Sequence, residues 1–192
     1  MRSAEFDREK VLRSAMDAFI SKGYSKTSMQ DLKKATGLHP GSIYCAFENK
    51  RGLLVAALNQ YRLERNNEFM AVFDSKTTVM EGLEAYLDSV VEECERAQIK
   101  HCLLQKALNE LADQDEEVEN IISKMLNDWQ QAFTEKLRQA QQDKEISEDK
   151  DCEELSQFLV MGIYGIRTFS YTHPVAGSLG RLSQQLLTYI RS

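Results

Sequence analysis

With 192 residues, 42% of them apolar and 28% charged, the chain has the length and balance of a soluble globular protein of one or two small domains. Only Pro40 and Pro174 interrupt helical periodicity, and the excess of Leu, Ala, Glu, Gln, Lys and Met points to an all-α fold. The net charge of −6 does not exclude nucleic acid, because it is uneven: residues 1–51 carry ten Lys/Arg against six Asp/Glu, residues 52–192 fourteen against twenty-four.

The first helix is expected from Glu5 to Ser21, since Leu12, Ala15, Met16, Phe19 and Ile20 recur at three- and four-residue steps. Gly23 stands where a left-handed C-cap ends it. Thr27-Ser28-Met29-Gln30 reads as a capping box, with the Thr27 hydroxyl at the N-cap and Gln30 three residues on. The helix it opens is short, turns Leu32 and Ala35 inward and stops at Gly37. A third helix follows at once with Pro40 in its first turn and ends near Phe47. Two short helices joined by a glycine turn form a helix-turn-helix unit. Ile43 and Phe47 face inward, which leaves Pro40, Gly41, Ser42, Tyr44, Cys45 and Ala46 on or beside an outer face. A face that small can approach the floor of a DNA major groove.

From Lys50 a longer helix begins with Leu53, Leu54, Ala57, Leu58, Tyr61 and Leu63 and reaches toward Phe73, where Ser75-Lys76-Thr77-Thr78 breaks it. Further helices are expected over Val79–Ala97, Cys102–Leu111, Glu116–Gln142, Asp151–Tyr171 and Gly177–Ile190, with no internal repeat. Leu155, Phe158, Leu159, Gly162, Ile166 and Phe169 form one apolar stripe, and Leu179, Leu182, Leu186 and Ile190 form another. Gly162 and Gly165 permit close helix approach. Two such helices from each of two subunits make a four-helix dimer interface. The alternative is that both stripes cover the subunit's own core.

The segment Gly23 to Leu54, GYSKTSMQDLKKATGLHPGSIYCAFENKRGLL, resembles the DNA-binding signature of TetR-family regulators. The likeness lies in the Gly-aromatic pair, Thr27-Ser28, the Gly-Leu turn, Gly41-Ser42-Ile43-Tyr44, Phe47, Asn49-Lys50 and Leu53-Leu54. It implies an omega-shaped homodimer of about nine helices per chain. Residues 1–50 would be the DNA-binding domain and residues 51–192 the ligand-binding and dimerisation domain. It also implies that Thr27, Ser28, Tyr44 and Lys50 touch backbone phosphates. Gln30, Pro40, Gly41, Ser42, Cys45 and Ala46 would then lie near base edges. Two positions depart from the family pattern: His39 stands where Ser or Thr usually caps the recognition helix, and Cys45-Ala46 replaces an aromatic pair.

Tyr61, Tyr86, Trp129, Phe133 and Tyr164 lie on the helices expected to surround a ligand cavity, and His101 and Asn109 are candidate polar handles for an apolar or aromatic inducer. Cys102 follows Lys100-His101, and basic neighbours at a helix start favour a thiolate suited to sensing an electrophile or oxidant; the plainer reading is a small buried hydrophobe. The four cysteines lack metal-ligand spacing, the three histidines are scattered, and neither a phosphate loop nor a nucleophile elbow occurs. No enzyme, metal or cofactor is expected. The charged stretch Met1–Lys10 does not read as a secretory signal, and Phe158–Ile166 is too short to cross a bilayer. The expectation is a cytoplasmic repressor that binds an inverted-repeat operator in double-stranded DNA and is released by a small molecule. Its rivals are a helical adaptor for an acidic protein and a thiol-based repressor using Cys102.

Overall fold

The computed structural model describes residues 6–96, 110 and 115–192, and every regular element among them is a helix. In chain order these are α1 (Arg8–Lys22), α2 (Met29–Thr36), α3 (Pro40–Phe47), α4 (Lys50–Asp74), α5 (Val79–Glu95), α6 (Glu116–Gln142), α7 (Cys152–Ser170) and α8 (Ser178–Arg191). Eight helices are therefore described against about nine expected; the missing one, Cys102–Leu111, lies outside the described residues except for Glu110. The described residues divide into two compact units, one of residues 6–65, 110 and 115–125 and one of residues 66–96 and 126–192.

In the first unit α1 packs against α2, and α2 against α3. The α1 stripe is buried as its periodicity predicts, together with Leu32, Ile43, Phe47, Leu53, Leu54, Ala57 and Leu58. Three local expectations are corrected. Gly23 has φ 83° with ψ 160°, so it ends α1 with a positive φ but outside the left-handed helical region. The capping box sits one residue later than expected. Ser28 is the N-cap, accepting from the Asp31 N–H, while the Asp31 carboxylate accepts from the Ser28 N–H at 2.9 Å. Ala35 is exposed, because an eight-residue helix needs only Leu32 to reach the core. Farther on, Leu63 is 54% exposed and does not continue the buried stripe of α4.

In the second unit α5, α7 and α8 pack pairwise around one apolar core to which α4 and α6 contribute Phe69, Phe73, Phe133, Leu137 and Ala140. The start of α5 is capped twice. Thr78 and Glu81 form a capping box, and the Glu145 carboxylate accepts from the Val79 and Met80 N–H groups at 3.0 and 2.7 Å. The expected interface stripes require correction here. Leu155, Leu159, Ile166, Leu179, Leu186 and Ile190 are buried within this single chain, as members of its own core. A Cβ on Gly162 would come within 2.5 Å of Leu186, so its close approach is also made inside the subunit, whereas Gly165 opens on free space. A three- and four-residue period reports that a face is buried but not what buries it.

Candidate nucleic-acid interface

The two short helices of the first unit present a polar, mostly small-residue face. On α3 the His39 imidazole supplies the cap that a hydroxyl usually supplies: its Nδ1 accepts from the Gly41 N–H at 3.2 Å, with Pro40 next to it at the first helical position. Ile43 and Phe47 turn inward. Gly41, Cys45 and Tyr44, the last 50% exposed, face solvent, and Pro40, Ser42 and Ala46 lie half-buried beside them. Ser28, Gln30, Lys33 and Lys34 are exposed at and along α2. Thr27 is different. It is 1% exposed, and its hydroxyl donates to the Gly23 carbonyl, so the side chain points into the fold rather than toward a phosphate.

The remaining contacts hold these helices from behind. Lys50, at the unfavourable end of the α4 dipole, places its ammonium 4.3 Å over the Tyr24 ring. Its pKa is pushed down by burial, against which the Glu110 charge pulls up. The Tyr24 ring and the Glu110 charge thus compensate part of that unfavourable placement inside the protein. Asn49 opens α4 by accepting from the Gly52 N–H at 2.8 Å, and Gly52 is required where it stands, since a Cβ there would lie 2.0 Å from the Phe47 carbonyl oxygen. Arg51 forks onto Asp115 at 2.5 and 2.9 Å and reaches Glu117 at 2.8 Å. Glu110 accepts from the Ser25 N–H at 2.9 Å, in space that Gly23 leaves open. Arg51, Glu110, Asp115 and Glu117 were not legible as parts of the site, because the pairs lie 64 to 85 residues apart with no local signature.

Two family models match the chain: "Bacterial regulatory proteins, tetR family" over residues 11–57 and "Tetracyclin repressor-like, C-terminal domain" over residues 79–185. The second alone spans more than half of the chain. The chain belongs to the TetR family. The uncharacterized helix-turn-helix regulator YezE of Bacillus subtilis is 28% identical over 162 residues, 82% of each chain. The repressor ComR of Escherichia coli is 45% identical over 56 residues, 29% of this chain and 27% of its own. Among solved structures, a cysteine mutant of the TetR family transcriptional regulator CifR, complexed with 26-bp double-strand operator DNA, superposes with a TM-score of 0.83 at 27% identity. That match covers 97% of this chain and 98% of that one. A TetR regulator from Chloroflexus aurantiacus, 23% identical with a TM-score of 0.83 over 95% of this chain and 93% of its own, shares the fold. These relatives are transcriptional regulators rather than enzymes, and the CifR structure holds double-strand operator DNA.

Of the residues expected to line a sensor cavity in this TetR-family regulator, four come together in the second unit. Phe133 stacks edge-on against Tyr86 and Trp129 at 5.3 and 5.4 Å; Trp129 meets Tyr164 at 5.8 Å and donates its indole N–H to the Tyr86 hydroxyl at 3.2 Å. Phe133 is fully buried, and Tyr86, Trp129 and Tyr164 are half-buried. Tyr61 belongs to the first unit, where the Arg65 guanidinium lies 5.5 Å from its ring. His101, Cys102 and Asn109 lie outside the described residues.

Four of the expected interface positions remain accessible in one chain: Phe158 and Gly162 half-buried, Phe169 and Leu182 exposed. Met161 and Tyr189 join them, 62% and 55% exposed, and Tyr189 packs its ring 4.5 Å from Phe158. The sequence stripes missed both, because they lie beside the faces that the chain's own core occupies. Cys45 is exposed, while Cys94 and Cys152 are buried. Among the described residues no helix is long and apolar enough to cross a membrane, and no acidic, histidine and cysteine cluster is arranged to hold a metal.

Proposed function

We propose that this TetR-family regulator is a repressor that binds an inverted-repeat operator as a homodimer and lets go when a small apolar or aromatic molecule binds the second unit. The observation that carries the reading is the outer face of α3. A capped, eight-residue helix offers Gly41, Ser42, Tyr44, Cys45 and Ala46 outward with no charged side chain among them, so backbone and short groups can approach base edges. Tyr44, Ser28 and Lys50 flank that face as phosphate partners, and Gln30, His39 and Pro40 border the bases; Thr27 supports the turn from inside. Such contacts fix affinity and register, and the α3 face reads sequence. The division of labour runs between residues 1–50 and 51–192, in a cytoplasmic setting.

Pairing of two chains is supported by exposed Met161, Phe169, Leu182 and Tyr189 with half-buried Phe158 beside them, large apolar side chains on two adjoining helices that water would otherwise cover. Ligand response is supported by the half-buried rings of Tyr86, Trp129 and Tyr164, with the Tyr86 hydroxyl and the indole N–H as polar groups in an apolar wall. A ligand acts by binding one of two dimer states more tightly, which shifts the population away from the DNA-competent state. The test is selection of bound fragments from random duplex DNA by the purified protein. The expected product is an inverted repeat whose affinity falls steeply as salt rises; recovery of no preferred sequence, with no salt-dependent binding to any duplex, refutes the reading.

A further inference from the structure

The geometry points to a cap shared between two helices: the Asp115 carboxylate both starts α6 and holds Arg51 at the start of α4, so fraying the first turn of α6 and freeing the first turn of α4 are one event. Asp115 Oδ1 accepts from the Val118 N–H at 3.1 Å, which is a helix cap, and the same oxygen accepts from Arg51 Nη2 at 2.9 Å while Oδ2 takes Arg51 Nε. Glu117, in the turn so capped, accepts from the same Arg51 Nη2 at 2.8 Å. The Arg51 fork therefore spans α6's cap and its first turn, and neither helix can move its end without breaking bonds that hold the other.

Three residues connect this event to the reading helices. Arg51 follows Lys50, whose ammonium rests on Tyr24, and precedes Gly52, which is pressed against the end of α3. Glu110, from the residues ahead of α6, holds the turn before α2 through the Ser25 N–H. The acidic anchors thus come from the residues ahead of α6 and from its first turn, and the groups they hold lie in the turn before α2 and in the first turn of α4, which follows α3. The ion pair is partly exposed, so it adds little to stability, and its effect is to set position. The consequence for DNA rests on the DNA-binding reading above; the coupling of the two helix ends does not.

Amide hydrogen exchange on the full-length protein decides the matter. Arg51→Gln alters only α4, and it is expected to speed exchange at the Val118 amide of α6 by about 2- to 5-fold. Arg51→Lys, which keeps the charge and loses the fork, is expected to fall between. Asp115→Asn keeps an N-cap acceptor and loses the ion pair, and combining it with Arg51→Gln is expected to add nothing further. The midpoint of thermal unfolding should move by no more than about 4 °C in each. Unchanged exchange at Val118 in Arg51→Gln, or a rise shared equally by the buried amides of α1, overturns the coupling. Operator affinity is read alongside: Arg51→Gln and Asp115→Asn are expected to lower it by the same factor. A wild-type protein that ignores DNA refutes the proposed function and leaves the exchange result to judge the shared cap.

Discussion

In the first unit the helices that carry the reading face are eight residues long and begin at side-chain caps, whereas α5 and α7 of the second unit, likewise capped, run for 17 and 19 residues along one continuous apolar core. A helix of eight residues is well below the length at which hydrogen bonding alone sustains it. Its stability comes from Leu32, or from Ile43 and Phe47, on one side and from Ser28, Asp31 and His39 at the ends. That difference teaches how one chain separates two tasks. A reader with few core residues is positioned by polar bonds of defined direction, and a body with many is held by packing that tolerates an uneven aromatic interior.

The largest expected effect lies in the body. Phe133→Ala removes a ring that touches Phe69, Tyr86 and Trp129 and leaves a cavity in the core, which costs about 3–5 kcal/mol of unfolding free energy. Denaturant unfolding followed at Trp129 measures it; a loss below 1 kcal/mol would mean that the cluster is a loose pocket wall rather than core. Next comes the reader. Gly52→Ala sets a methyl against the Phe47 carbonyl and is expected to cost about 1–3 kcal/mol, with the loss appearing as faster exchange of α3 amides. Ser28→Ala deletes the α2 cap and should cost about 1 kcal/mol, while Thr27→Ser, which preserves the inward hydroxyl, should cost less. A loss in Ser28→Ala no larger than that in Thr27→Ser would show that the Ser28 hydroxyl does not cap α2.

Tyr44→Phe is expected to leave stability within about 0.5 kcal/mol, because the ring is half exposed and Ile43 fills the core beside it. It should weaken binding to all duplexes alike by about five-fold, the cost of one phosphate hydrogen bond. Loss confined to one base position in a panel of operator variants would assign Tyr44 to sequence reading instead.

What the chain discloses before folding follows from the range of the forces involved. The α1 stripe, the glycine after α2, Pro40 at the head of α3 and the 116–142 helix are local, and all are legible in spacing. The capping box was misplaced by one residue because Thr27-Ser28 offers two hydroxyls in a row. Gln30 after Thr27 fits the usual pattern better than Asp31 after Ser28, but the Thr27 hydroxyl is taken by the Gly23 carbonyl inside the fold, which leaves Ser28 as the cap. The apolar stripes of α7 and α8 were legible as buried faces, but only the packing of α5 against both shows that Leu155, Leu159 and Ile190 serve the chain's own core. Residues that bind the reader to Glu110 and Asp115 were invisible, since a surface carboxylate 64 or more positions away has no pattern to betray it.

The smallest expected effect separates the units by acid. Asp115 titrates at about 2, held there first by Arg51 and then by the Val118 N–H, and Asp31 is held below the usual carboxylate range by Lys22 and by Ser28. Both folded-state values lie under the unfolded value, so what these carboxylates contribute is fully present above about pH 4 and is lost as pH falls through the folded value. Among the described residues both anchors belong to the first unit. In the second, Ser147 holds Asp149 low as well, but that carboxylate is exposed in the loop ahead of α7, and burial raises the Cys94 and Cys152 thiols, which stay neutral throughout that range. Between pH 4 and 2 the amides of α2 and of the first turn of α6 should therefore exchange faster, relative to those of α7. The difference should shrink in high salt, because both carboxylates meet solvent. Parallel loosening of α7 over the same interval would show that the polar anchors do not set the acid response of the reader.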